Sequence, residues 1–296
     1  MKKMFTMLLV VPILILVAGC GQNTTAKNDK ITVVASTDFY AQVAKTVLGD
    51  HGTATAVIHD STVSPEEFEP TPKTAKLVAK ANVVVANGLG YDSWLNGMAK
   101  SNGRKAQLIR VGEDVLHEKV GVNPHVWNNP ANMQKLATKL AADFAKKDPK
   151  NKADYEANAQ KYVQQLKPVT DMVAQLKAQG KGKAVAVTEP VYDLMLSAVG
   201  YKISDQDFAE EIEEGADPKP NDLQALQNDL KNHKVQFLVE NTQSSGNIIS
   251  SIVKLAKQAN VPVVKVTETL PTGENYVSWQ LNSLKQIQKI QEEAGK

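Results

Sequence analysis

From Ile31 onward, short β-branched runs alternate with stretches whose apolar residues return every three or four positions. The runs ITVVAS (31–36), TATAVIH (53–59), ANVVVAN (81–87), AQLIRV (106–111), KAVAVT (183–188), VQFLVE (235–240) and VPVVKVT (261–267) predict strands. Helical patterns separate most of them, and that alternation predicts βαβ units and mainly parallel sheets. A long polar and helical stretch, from about 132 to 179, divides the strands into two groups. Within it Tyr162, Leu166, Val169, Val173 and Leu176 recur at spacings of four and three, one stripe of a helix. Pro168 falls inside the stripe, so a kink or break is expected there. The pattern therefore predicts an α/β protein of two lobes with mainly parallel sheets, joined by a long connecting helix, with its ligand between the lobes.

The start of the chain follows a different pattern. Met1, Lys2 and Lys3 give a positive end, Met4 to Val17 is almost wholly apolar, and Val17-Ala18-Gly19-Cys20 follows. The apolar stretch is shorter than the roughly 20 residues of a membrane-spanning helix, which favours a cleaved signal peptide. It resembles a bacterial lipobox, with Cys20 lipidated and made the mature N-terminus. Cys20 is the only cysteine, so no disulfide is expected. Residues 21–30 (GQNTTAKNDK) are polar and unpatterned, as a flexible tether would be. The expected organisation is a signal peptide with lipobox at 1–20, a tether at 21–30, an N-terminal lobe at 31–145, a connecting helix region at 146–180 and a C-terminal lobe at 181–296.

Composition narrows the partners. With 296 residues there is enough chain for two lobes with real cores. A net charge of +2 gives no electrostatic reason to expect nucleic acid.

In open parallel sheets, ligands bind beyond the carboxyl ends of the strands, so polar residues there are the first candidates. Glu189 follows AVAVT, Glu268 follows VVKVT, and FLVENTQ carries Glu240. The loop SPEEFEPTP (64–72) brings Glu66, Glu67 and Glu69 after the second run, and NPHVWNNP (123–130) brings His125. Each has an ordinary explanation as a solvated loop charge or a packed histidine. Together they offer metal-type donors at strand ends of both lobes, while glycine-rich phosphate loops and nucleophile motifs are absent.

These segments carry a resemblance. VVASTDFYAQVAKTVLGD (33–50), SPEEFEPTPKTAKLVAKANVVVANGLGYDSWL (64–95), NPHVWNNPANM (123–133), FLVENTQ (237–243) and VTETLPTGENY (266–276), in this order, resemble the metal-specific substrate-binding lipoproteins of zinc and manganese ABC importers. The resemblance covers essentially everything after the tether. It implies a periplasmic-binding-protein-like fold of the helical-backbone metal-receptor type, with a metal at the lobe interface. The family's four ligand positions fall on Glu66, His125, Glu189 and Glu268. Glu66 stands in Pro65-Glu66-Glu67-Phe68-Glu69-Pro70, where the family has histidine, and Glu67 is an alternative for that role. Glu268 replaces the aspartate common at its position, and Glu240 is left as structural.

One imidazole and three carboxylates suit manganese better than zinc, whose sites favour cysteine and histidine, although zinc binds such donors tightly as well. The expected function is capture of Mn²⁺, with Zn²⁺ as the alternative cargo, and its delivery to an ABC permease. The protein would be a monomer, not an enzyme, held by its lipid anchor on the extracellular face of the cell membrane. A binding protein for another solute, a surface adhesin and an enzyme whose metal activates water are the competing readings, the last requiring an open coordination position and a substrate pocket.

Overall fold

The computed structural model describes residues 30–101 and 106–295. The leader, Cys20 and all but the last residue of the expected tether lie outside them. The first half runs β1 (Ile31–Thr37), α1 (Asp38–Leu48), β2 (Gly52–Ile58), α2 (Pro72–Val78), β3 (Val83–Ala86), α3 (Ser93–Ser101), β4 (Gln107–Arg110) and α4 (Pro130–Lys147). Then come α5 (Lys152–Gln165) and α6 (Lys167–Gly180). The second half runs β5 (Ala184–Val187), α7 (Asp193–Val199), β6 (Lys202–Ile203), α8 (Gln206–Glu213), α9 (Pro220–Lys231), β7 (Leu238–Asn241), α10 (Asn247–Gln258), β8 (Val263–Val266) and α11 (Tyr276–Ala294).

Two four-stranded sheets result, ordered β2-β1-β3-β4 and β6-β5-β7-β8, and every pairing is parallel. The two orders are topologically the same. In each, the strand order reverses beside the first strand of the lobe, where open α/β sheets leave a crevice at their carboxyl ends. All seven runs read as strands in the sequence contain a strand. β6 is an addition: two residues, Lys202 and Ile203, paired with Ala184 and Val185.

Local chemistry fixes the helix starts. Thr71 and Thr74 form a reciprocal capping box ahead of α2, with Pro72 at its first position. Asn129 accepts from Ala131 N–H before Pro130 opens α4, and Asn275 with Ser278 caps α11.

The long helix bends where Pro168 predicts. α5 ends at Gln165, Leu166 is the junction, and α6 begins at Lys167 with the proline in its first turn. The stripe read in the sequence crosses from one core to the other at that bend. Tyr162 and Leu166 pack in the first lobe's core with Phe39, Trp127 and Phe144, whereas Val169 and Leu176 pack in the second's with Val187, Met195 and Phe237.

α11 is a second span between the lobes. Tyr276 and Trp279 join the first core, while Leu284 and Ile287 join the second. Buried hydrogen bonds fasten the crossing: Tyr276 O–H donates to the Trp127 carbonyl at 2.7 Å, and Gln280 donates to Asn128 Oδ1 at 3.0 Å. Asn128 in turn donates to the Val191 carbonyl at 2.6 Å, so one buried amide links α11, the first lobe and the second.

Asn128→Ala would leave the Val191 carbonyl and the Gln280 amide without partners, at about 1–3 kcal/mol for each buried group left unsatisfied. Urea unfolding should show that loss. Asn282→Ala, on the exposed side of α11, should change stability by less than about 0.5 kcal/mol.

Candidate metal-binding cleft

The carboxyl ends of the two sheets face one cavity of about 290 Å³ between the lobes. All four residues singled out from the sequence line it: Glu66 from the loop after β2, His125 from the loop before α4, Glu189 just past β5 and Glu268 just past β8. Glu67 lines it as well, so the structure leaves both members of that pair in the cleft. Glu240 lies within β7 beside Lys265 and is not among the lining residues. Among the described residues that line it, none is Lys or Arg.

His125 is the most buried member, at 2% exposure. Its ring packs edge-on against Trp127 and Tyr91, with centroids 5.2 and 5.9 Å away. Asn123 sets its tautomer. The Asn123 amide nitrogen donates to the Pro190 carbonyl at 2.8 Å, which orients Oδ1 toward His125, 3.0 Å from Nδ1 and 2.9 Å from its backbone N–H. Nδ1 therefore carries the proton, and the Nε2 lone pair is left for the cleft. Burial pushes the imidazole pKa down to about 3, which keeps the ring neutral, as a metal ligand must be.

The carboxylates are held by neutral donors rather than cations. Tyr91 O–H donates to Glu268 Oε1 at 2.6 Å, and Asn241 donates to Glu189 Oε2 at 2.7 Å. Gln243 Oε1 accepts from the backbone N–H groups of Glu268 and Thr269 at 2.6 and 3.0 Å, fixing the turn that carries Glu268. The same side chain donates to the Ser61 carbonyl, tying that turn to the loop that leads to Glu66. Asn123, Asn241, Gln243 and Tyr91 were not singled out from the sequence; polar side chains that serve a neighbouring ligand have no pattern of their own.

A fifth carboxyl group, half-buried, joins the cleft. Glu213, at the end of α8, brings Oε1 to 3.5 Å from His125 Nε2. Desolvation, then repulsion from Glu66, Glu189 and Glu268, raises its pKa to about 8. Glu268 is raised to about 7, first by desolvation and then by Glu66 and Glu189, against the lowering effect of the Tyr91 hydrogen bond. Glu66, although exposed along one side, is also raised, by desolvation and by its neighbours Glu189 and Glu67. With His125 neutral and Glu213 holding its proton, the 3.5 Å approach is not an ion pair at neutral pH.

As placed, no three His, Cys, Asp or Glu side chains among the described residues stand close enough to grip one ion. They line the cleft without converging on a point, as mutually repelling carboxylates would. Drawing them onto a shared cation takes rotation of side chains that glutamate's length permits.

Two parallel α/β lobes, doubly tied and facing each other across a polar cleft, define a two-lobed binding protein. The family model described as "Zinc-uptake complex component A periplasmic" (ZnuA) matches residues 33–290, and the chain belongs to that family. The manganese-binding lipoprotein MntA of Halalkalibacterium halodurans is 26% identical over 212 residues, covering 68% of this chain and 69% of that protein. The high-affinity zinc uptake system protein ZnuA of Bacillus subtilis is 25% identical over 327 aligned positions, covering 99% and 92%. The fold matches that of the SBP FpvC of Pseudomonas aeruginosa, solved in complex with Mn²⁺, with a TM-score of 0.75 at 18% identity over 90% of this chain and 100% of that one.

The raised carboxyls set a pH dependence. A carboxyl whose pKa rises on folding stabilises the folded protein fully below its unfolded value, and that contribution is lost as pH rises through the folded value. For Glu268 and Glu213 the folded values are about 7 and about 8. In the presence of chelator, the melting temperature should fall as pH rises from about 5 to about 9. Glu213→Gln should flatten the upper part of that decline, and a flat or rising curve for the unsubstituted protein would contradict the assignment.

Proposed function

We propose that this chain captures a divalent transition-metal ion, Mn²⁺ in preference to Zn²⁺, and delivers it to an ABC importer permease. The observation that carries this reading is the lining of the cleft: one buried, neutral imidazole and several carboxyl groups, some of them half-buried, with no lysine or arginine among the described lining residues to offset them. Such a cluster has an electrostatic deficit that a divalent cation fills. Family membership and relatives that include a manganese-binding lipoprotein and a zinc uptake protein support the same reading.

The proposed ligands are Glu66, His125, Glu189 and Glu268, with Glu67 next to the first. His125 offers Nε2, and the carboxylates can bind through one or both oxygens. Oxygen-rich donors suit manganese, and bidentate carboxylates allow more than the four donors that zinc takes in most sites. The chemistry is capture and release, with no bond broken in the cargo.

The proposed lobes are 31–145 and 181–296, joined through 146–180. Cys20 carries the lipid anchor that keeps a monomeric protein on the outer face of the cell membrane, and residues 21–30 serve as its tether. Because two helical spans fix the lobes, release at the permease proceeds by local loop shifts that disturb at least one ligand rather than by wide opening.

Competition titration tests the reading. The unsubstituted protein should hold one Mn²⁺ per chain, and Glu189→Ala should lose it; no stoichiometric binding of either metal would overturn the assignment. Since ligands must shed protons to bind, affinity should fall as pH drops from neutral to mildly acidic, and a pH-independent affinity would count against the carboxylate cluster. Cys20→Ser should move the protein from the membrane fraction to the soluble fraction; unchanged membrane association would refute the anchor.

A further inference from the structure

We propose that Glu213 is a fifth protein ligand of the captured ion and the residue that tilts the site toward manganese. The proposal rests on the metal-capture reading and extends its donor set.

Glu213 reaches the cleft from an element that none of the other four donors uses. α8 is anchored by buried Phe208 and Ala209, and its first residues follow Asp205, whose carboxylate accepts from Val187 N–H at the end of β5. Gly215 then turns the chain in the left-handed region, with φ at +70°, and itself lines the cleft. Glu213 is thus held at the cleft wall by rigid structure on one side and a tight turn on the other.

The geometry of its carboxyl points to a shared ion. Oε1 is buried and makes no hydrogen bond, although it lies 3.5 Å from His125 Nε2. That separation is long for an N–H···O hydrogen bond, which spans about 2.7–3.2 Å. It is within a small side-chain shift of two donors seated side by side on one metal, which lie about 3.0 Å apart at right angles when each is about 2.1 Å from the ion. His125 is almost fully buried and its Nδ1 is committed to Asn123, so Nε2 has only the cleft to serve. A cation placed between Nε2 and Oε1 satisfies both atoms at once.

Selectivity follows from the count. Glu66, Glu189, Glu213 and Glu268 with His125 give five side chains, more than the four that complete a tetrahedral zinc site. A fifth, anionic oxygen donor favours a hard ion that accepts six or more ligands and gives little to zinc.

The test uses Mn²⁺ and Zn²⁺ titrated separately into the full-length protein, unsubstituted and as Glu213→Gln, Glu213→Ala and Glu189→Ala. Pulsed electron paramagnetic resonance in D₂O counts the water molecules on bound Mn²⁺. Glu213→Gln should weaken Mn²⁺ by at least about tenfold, since even groups one step removed from a metal cost about 10–100-fold, and should weaken Zn²⁺ less. Glu213→Ala should add one water to the bound Mn²⁺. Unchanged affinity, or weaker binding without the added water, would overturn Glu213 as a ligand. The capture reading fails separately, if the unsubstituted protein takes neither ion or if Glu189→Ala binds as the unsubstituted protein does.

Discussion

Repulsion among carboxylates at the meeting of the two lobes is the constraint around which the rest of the molecule is organised. Glu66, Glu67, Glu189, Glu213 and Glu268 line a single cleft in which, among the described residues, there is no lysine or arginine. Desolvation makes Glu66, Glu213 and Glu268 reluctant to ionise, and the charges beside them add to the cost. The protein answers with neutral donors, Tyr91 to Glu268 and Asn241 to Glu189, which orient the carboxylates without discharging them. A lysine in their place would have stabilised the fold and filled the role left open for a cation.

Holding such a cluster together calls for a rigid frame. The bent helix carries one apolar stripe from the first core into the second, and α11 carries another in the same sense. Asn128 ties three elements where they meet. With two spans and a buried hydrogen-bonded seam, swinging the lobes apart would break the bonds of Asn128 to Gln280 and the Val191 carbonyl. Changes at the cleft are therefore confined to what its loops and long side chains can do. Gln243 links two of those loops, so movement of the turn carrying Glu268 is felt at Ser61, upstream of Glu66.

Much of this was readable before any coordinates. Strands buried in parallel sheets leave near-continuous β-branched runs, and each of the seven runs holds one; β6, two residues long, is too short to leave a pattern. The bend at Pro168 follows from proline's missing N–H and fixed geometry. Glu189 and Glu268 stand out because strand ends in parallel sheets are where ligands gather. Glu66 and His125 sit in irregular loops, where they could be noted as donors, but only the family frame chose Glu66 over Glu67 and Glu69 and gave His125 a ligand position. Glu213 was illegible for a different reason. In FAEEIEEG it is one of four acids on a short helix, and such a run reads as a solvated face. Which acid turns inward depends on how Phe208 and Ala209 seat the helix, a tertiary fact that no local pattern contains.

If the cleft between the lobes holds the cargo ion, a crystal grown with Mn²⁺ and recorded at the manganese absorption edge should show it by anomalous diffraction. One strong peak per chain is expected within bonding distance of His125 Nε2 and of the Glu189 and Glu268 carboxylates. A peak outside this cleft, or none within it, would place the ion elsewhere and overturn the cleft as the capture site.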